Sequence, residues 1–184
     1  AGKSYLSAVL LEELLDRDEK DGKIATVVID PHGEYAGFAR DKGYMDRVKV
    51  VRGEDITIST PSISAGKIES FLPDLSQTQK RELGKVINEL REEGEGSGNY
   101  DLTDVRKKIE NADIKANVKA PLLSRMKRLF SMNLFKKYDN PGLKEVKPGE
   151  MVVLDLSDII DRMKKQIIVA HFASKLFRAR RNGN

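Results

Sequence analysis

The first four residues, Ala1-Gly2-Lys3-Ser4, run straight into an apolar helical stretch, and this junction constrains the fold more than any other feature. They match the second half of G-x-x-x-x-G-K-[ST]. In that loop glycines let backbone N–H groups close around phosphates, the lysine reaches the β- and γ-phosphates, and the hydroxyl holds Mg²⁺. Ala1, Gly2, Lys3 and Ser4 are therefore candidate ATP-binding residues, with Lys3 stabilising phosphate charge and Ser4 placing Mg²⁺. G-K-S alone is a common triplet, so the surrounding pattern has to carry the reading.

Composition narrows the alternatives. The chain has 184 residues, 39% apolar and 34% charged, which suits a soluble globular fold. Without cysteine it has no disulfide, thiolate metal site or cysteine nucleophile. His32 and His171 lie far apart in sequence. No apolar run approaches the roughly 18 residues that span a bilayer, and the first residues form a motif rather than a signal peptide. A cytoplasmic location away from membranes is the expectation. The cysteine-free, Lys- and Glu-heavy composition leans toward a thermophile.

Charge is unevenly spread. Residues 115–147 and 162–184 each carry a net +7, which leaves −10 on the remainder of a chain of net charge +4. Such asymmetry suits an anionic partner, nucleic acid being the commonest large one, although lysine-rich helix faces are often simply solvated.

Along the chain an α/β beginning gives way to a helical middle and an α/β ending. Ser4 to Leu15 reads as the helix after the loop, with Leu6, Val9, Leu10 and Leu14 on one face. Asp21-Gly22-Lys23 breaks it. Ile24 to Ile29 is a short β-branched run of the kind buried on both faces of a parallel sheet, and Asp30-Pro31-His32-Gly33-Glu34-Tyr35 follows at the sheet edge where ligands bind. Val48 to Val51 is another strand, with an extension at Ile56 to Ile58. Leu83, Val86, Ile87 and Leu90 mark a helix from Ser76 to the glycine-rich loop 94–98. Leu102, Val105 and Ile109 mark a second, capped by Asp101 or Thr103, and Leu122, Leu123, Met126, Leu129 and Phe130 a third.

Three successive helices without a strand indicate an insertion. The expected division is core at 1–60, helical insertion at 61–147 and core again at 148–184. Within the last part, Met151 to Leu156 is a strand, and Ile159 to Arg180 a long helix. Its stripe of Ile160, Met163, Ile167, Ile168, Phe172 and Leu176, widened by Ile159, Val169 and Phe177, suggests it is well covered. The residues 182–184 read as its stop. His171 among these residues suits packing or capping rather than catalysis.

Two apolar runs end in aspartate, Val27-Val28-Ile29 before Asp30 and Val152-Val153-Leu154 before Asp155. Either could pass for a Walker B strand, yet neither has an acid immediately after it to activate water. Asp30 and Glu34 are candidate catalytic residues on the functional edge. They could orient the metal's water shell, contact a neighbouring subunit, or cap the loop.

These elements together resemble the HerA group of the HerA/FtsK ATPases. The resemblance rests on Ala1-Gly2-Lys3-Ser4, on Val27 to Tyr35 with its D-P-H-G-E-Y element, on Leu75-Ser76-Gln77-Thr78-Gln79, and on Met151 to Ser157 before a long helix. It runs over nearly the whole chain, and D-P-H-G-E-Y is its most specific part. It implies a RecA-like P-loop NTPase sheet with a helical insertion, part of a hexameric motor that translocates on double-stranded DNA with ATP and Mg²⁺. Archaeal members work with a nuclease partner, NurA, in processing DNA ends. The family's upstream barrel, Walker B acids, glutamine sensor and arginine finger find no match, which places the chain between half a P-loop and the eve of Walker B. Asp155 then lies on a neighbouring strand, and Arg178, Arg180 and Arg181 are not assigned as the finger. On this reading the isolated chain, without the preceding strand and glycines, binds ATP poorly.

The implied chemistry is in-line attack of water on the γ-phosphate, and Arg125, Lys127 and Arg128 on the insertion are the candidate DNA contacts. Two alternatives stay open: a conjugation or secretion motor of the same superfamily, and a non-hydrolysing nucleotide-binding assembly module. Replacing Lys3 by Ala in the intact protein should abolish steady-state phosphate release, because the ammonium charge on the phosphates is lost while the helix is untouched. An unchanged rate would remove the P-loop reading.

Overall fold

The computed structural model describes residues 2–93 and 99–181. Ala1, the glycine-rich loop 94–98 and the helix stop at 182–184 lie outside the described residues. In chain order the elements are α1 (Gly2–Leu15), β1 (Thr26–Asp30), β2 (Val48–Arg52), β3 (Ile58–Ser59), α2 (Ala65–Ser70), α3 (Gln77–Glu93), α4 (Leu102–Asn111), α5 (Ala116–Ser131), β4 (Phe135–Lys136), β5 (Met151–Asp155) and α6 (Arg162–Arg181). The chain divides into two compact units, one of Ala1–Ile56 with Asn140–Asn184 and one of Thr57–Asp139.

The first unit is built on a parallel sheet in the order β1-β5-β2. Thr26 to Asp30 pair in register with Met151 to Asp155, and Val48 to Arg52 pair with the same residues from the other side. Met151, Val152, Val153 and Leu154 are all buried, as a strand with neighbours on both edges requires. At its edge, β2 buries Val48 and Val51 while Lys49 and Arg52 are exposed. On one face of the sheet Val28, Val48, Val50, Met151 and Val153 pack with Leu11 and Leu15 of α1 and with Tyr35, Phe38 and Tyr44.

That packing corrects the face expected of α1. Leu6 and Leu10 are 70% and 58% exposed, and the inward line is Ser4, Ala8, Leu11 and Leu15. With leucines or valine at six of its positions, the helix is apolar nearly all round, so spacing alone could not choose the face. The far end of α1 is clamped. The Arg47 guanidinium donates to the Leu15 carbonyl and to Gly43 O (3.3 Å), and pairs with Asp16 at 3.4 Å. A cation there complements the negative end of the helix. The Tyr44 hydroxyl donates to Asp16 Oδ2 at 2.9 Å, beneath the Arg47 guanidinium.

Two other expectations change. The β2 extension at Ile56 to Ile58 is not part of the main sheet: Ile58 and Ser59 form β3, which pairs in parallel with β4, a strand the helical reading of this region lacked. In α6 only Ile167, Ile168 and Phe172 are buried, while Ile160 is fully exposed before the helix and Phe177 is 70% exposed within it. Asp161 caps its start, accepting from Met163 N at 2.8 Å and Lys164 N at 3.2 Å.

In the second unit, α3, α4 and α5 pack on one another. Their inward residues follow the three-and-four spacing: Leu83, Val86 and Ile87 on α3, Leu102, Val105 and Ile109 on α4, and Leu122, Met126 and Leu129 on α5. Asp101 is the cap of α4, in a reciprocal box with Asp104. Ser76 and Gln79 form a second box: Gln79 Oε1 accepts from Ser76 N at 2.9 Å, and Ser76 Oγ accepts from Gln79 N at 3.3 Å.

The clamp on α1 has a titration signature. The hydrogen bond to Asp16, then desolvation, then the carboxylates of Asp16, Glu12 and Asp41 push the Tyr44 pKa up to about 12 from 10.0. A raised acid pKa means that the fold favours the protonated phenol. This stabilisation is complete below the unfolded pKa and is lost as pH rises through about 12. In an absorbance-monitored alkaline titration, the phenol ionising near pH 12 should disappear in Tyr44→Phe; a profile that loses a lower-titrating phenol instead would refute the clamp.

Candidate nucleotide-binding site

β1 and β5 end side by side, Asp30 opposite Asp155, and Leu156 N donates to Asp30 O at 2.9 Å. Past these ends the chain must turn without exposing unpaired amides, and aspartates do this by bonding their own downstream backbone. Asp30 is 1% exposed. Its Oδ1 accepts from His32 N (3.2 Å) and Gly33 N (2.8 Å), and its Oδ2 accepts from Tyr35 N (2.8 Å). Among the roles open to Asp30, the structure shows it holding the D-P-H-G-E-Y loop.

The loop is also fitted against the end of β5. Gly33 has φ +75°, a conformation side chains rarely adopt, and a Cβ there would stand 3.0 Å from Ser157 Oγ. Asp155 Oδ1 in turn accepts from Ser157 N (3.0 Å) and Ser157 Oγ (2.7 Å), repeating on β5 the turn chemistry of Asp30. Lys165 Nζ, in the first turn of α6, donates to Pro31 O at 3.3 Å. The exposed side chains on the loop are Pro31, His32 and Glu34, of which Glu34 is the candidate catalytic acid.

Gly2, Lys3 and Ser4 form the first turn of α1, in the same unit. Lys3 is exposed, whereas Ser4 is half-buried, in phase with the inward line through Leu11 and Leu15. No acid occupies this turn, and nothing lies within 4 Å of a Cβ built on Gly2. A helix start, whose first amides have no acceptor within the helix, with a cation and no carboxylate in the turn, fits a phosphate group. Among the described residues, no group of three or more His, Asp or Glu side chains could hold a metal ion.

The three candidate DNA contacts sit in the other unit, on α5. Arg125 Nη1 donates to Gln79 Oε1 at 2.6 Å, which ties α5 to the cap of α3, and Arg125, Lys127 and Arg128 are all exposed. Sequence reasoning did not single out Ser157, Gly33 or Lys165. The repeated Asp-x-Ser or Asp-x-x-Gly turn after a buried strand was the available signal.

A parallel sheet with a glycine-lysine-serine helix start and an aspartate-anchored edge loop defines an α/β nucleotide-binding fold. The family model for the helicase HerA central domain (DUF87) matches residues 1–176, and the chain belongs to that family. No curated protein matches it. Among solved structures, the chain is similar to VirB4 of Thermoanaerobacter pseudethanolicus, with a TM-score of 0.66 and 18% identity. The match covers 96% of this chain and 54% of that one, so the chain spans about half the length of that protein. At this identity the likeness shows a shared fold. Among the described residues, no helix is long and apolar enough to cross a membrane.

If Asp30 holds the loop, Asp30→Asn should destabilise this chain by about 1–3 kcal/mol, because an amide offers a single acceptor oxygen to three buried or half-buried N–H groups. Glu34→Ala, at an exposed position, should stay within about 0.5 kcal/mol. Urea unfolding of the three proteins measures both; an Asp30→Asn chain as stable as wild type would show that the anchoring contributes nothing.

Proposed function

We propose that the intact protein is an ATP-driven DNA translocase of HerA type, working on double-stranded DNA in the processing of DNA ends. The observation that carries the nucleotide part is the start of α1, where Gly2, Lys3 and Ser4 offer amides, an ammonium and a hydroxyl with no carboxylate in the turn. Family membership, under the description of a helicase central domain, supports the DNA part.

On this proposal Lys3 and the backbone amides at the start of α1 bind and orient the phosphates, and Ser4 would hold Mg²⁺. Bound Mg²⁺ would neutralise charge on the transferring phosphoryl group. The anchored loop carries the exposed Glu34 as the candidate to orient water, with Asp30 holding the loop backbone in place. The acid that activates water is assigned to neither strand end, since Asp30 and Asp155 both bond the turns that follow them. A homo-hexamer in the cytoplasm with a NurA-type nuclease partner belongs to the same proposal.

Duplex DNA would be gripped through its phosphates, as a motor indifferent to sequence requires. Lys127, Arg128 and Arg125 are the exposed candidates on α5, and Arg125 also bonds Gln79. The likeness to VirB4 favours a second reading, a secretion- or conjugation-type motor of the same fold.

Phosphate release by the intact protein, with and without duplex across a salt series, separates the two. Duplex should raise the rate, and each phosphate neutralised adds about −0.9 to the slope of log K against log salt. Lys127→Glu with Arg128→Glu should flatten that slope by roughly two such contributions. A rate indifferent to duplex at low salt, in a protein that hydrolyses ATP, would exclude the DNA motor and favour the second reading.

A further inference from the structure

Two helices of the first unit show solvent a regular seam. On α1, Leu6, Leu10 and Glu13 follow at intervals of four and three, all exposed, on the side away from Leu11 and Leu15. On α6, Gln166, Ala170, Ala173, Phe177 and Arg180 keep the same intervals and are likewise exposed, while Ile168 and Phe172 are buried. Intervals of four and three are those by which two helices interlock along their length. An apolar side chain exposed singly needs no explanation, but Leu6 and Leu10 stand one turn apart on one face, with Tyr5 beside them, and Phe177 stands among arginines.

The two seams are opposite in charge. Residues 162–184 carry seven Lys/Arg and no acid. Arg178, Arg180 and Arg181, in the last turn of α6, are exposed and in no ion pair among the described residues. On α1, Glu12 and Glu13 are exposed and equally without an ion pair. Two copies of α6 set against each other would repel, so its seam calls for an acidic partner, and α1 of another copy is one.

We propose that α1 of one copy docks on α6 of the next. The two helices run in the same direction, Leu6 and Leu10 lie over Ala170 and Ala173, and Glu12 and Glu13 meet the arginines of the last turn. Run the opposite way, the same leucine contacts would bring Lys3 to those arginines instead. Because the contact joins two different surfaces, every copy can use both, and repetition gives a ring or a filament rather than a closed pair. The inference rests on the homo-oligomer of the preceding proposal and names its surfaces; its test needs neither nucleotide nor DNA, so the two fail separately.

Sedimentation velocity of the 184-residue chain across a concentration series, at low and high salt, reads the contact directly. A single helix pair belongs with weak, transient interfaces, so association should set in on the order of 100 μM, grow past a dimer, and weaken with salt. Glu12→Arg with Glu13→Arg, and separately Arg178→Glu with Arg180→Glu and Arg181→Glu, should each weaken it about tenfold or more, because like charges then face each other. Mixing the two variants should restore it, since each then meets an opposite charge on both surfaces. Leu6→Ser with Leu10→Ser, at exposed positions where the fold is indifferent, should weaken it as well. The proposal is overturned if the wild-type chain stays monomeric to about 1 mM, the weak end of the affinity scale. It is equally overturned if either charge reversal leaves association unchanged, or if the mixture fails to restore it. An α6 reversal that keeps self-association but loses binding to a short duplex would make the arginines a nucleic-acid surface and would also overturn it.

Discussion

The nucleotide-binding unit depends on the in-register parallel pairing of β1 and β2 onto β5. Its partners come from opposite ends of the chain, with the whole helical unit between β2 and β5. Closing so long a connection costs chain entropy before any contact is gained, although that cost grows only slowly with length. The compensation is in β5, where Met151, Val152, Val153 and Leu154 are all buried and each meets a neighbour on both sides. A polar residue among the four would remove apolar burial at the middle of the sheet rather than at its rim. The register has a further effect: it brings Asp30 level with Asp155, so that two turns, each tied by an aspartate, leave the sheet together and fit against each other through Gly33 and Ser157.

Much of this was legible in the sequence because it rests on local rules. The strands at Val27 to Ile29 and Val152 to Leu154 declare themselves by continuous β-branched content, and α3, α4 and α5 by apolar spacing, since each buries one stripe and exposes the rest. Where the pattern is degenerate the reading slips. α1 is apolar nearly all round, so nothing in its spacing distinguishes Leu11 and Leu15, which meet the sheet, from Leu6 and Leu10, which do not. The pair β3 and β4 is two residues long and joined across the whole helical unit, too short to leave a period and too distant for a turn signal.

The site was legible in outline and less so in role. That Asp30 ends a strand at the sheet edge follows from its position after an apolar β-branched run. That its oxygens are both engaged by His32, Gly33 and Tyr35 amides depends on how the loop folds back, which spacing does not report. Arg125 teaches the same lesson about charge. It sits in a basic stretch and reads as a solvent-facing cation, yet its guanidinium completes the acceptor capacity of a buried glutamine, Gln79, that also caps α3. Counting charges cannot separate such a cation from Lys127 beside it, because the difference lies in a partner 46 positions away.

The supports of the edge loop also bear on how a nucleotide would be sensed. The backbone of residues 30–35 is tied at Asp30 to β1, at Gly33 to the turn after β5, and at Pro31 to Lys165 in the first turn of α6. The first two supports are tightly packed, with Asp30 closed to solvent and a Cβ at Gly33 placed 3.0 Å from Ser157 Oγ. The third is a single exposed hydrogen bond from a half-buried lysine to a carbonyl at 3.3 Å, a contact of low cost to make or break. A displacement of this loop would therefore disturb the link to α6 before it disturbed the sheet. The exposed Glu34 and His32 lie on the same short segment as the Pro31 carbonyl that Lys165 of α6 contacts. The loop is thus anchored firmly on the sheet side and weakly on the helix side.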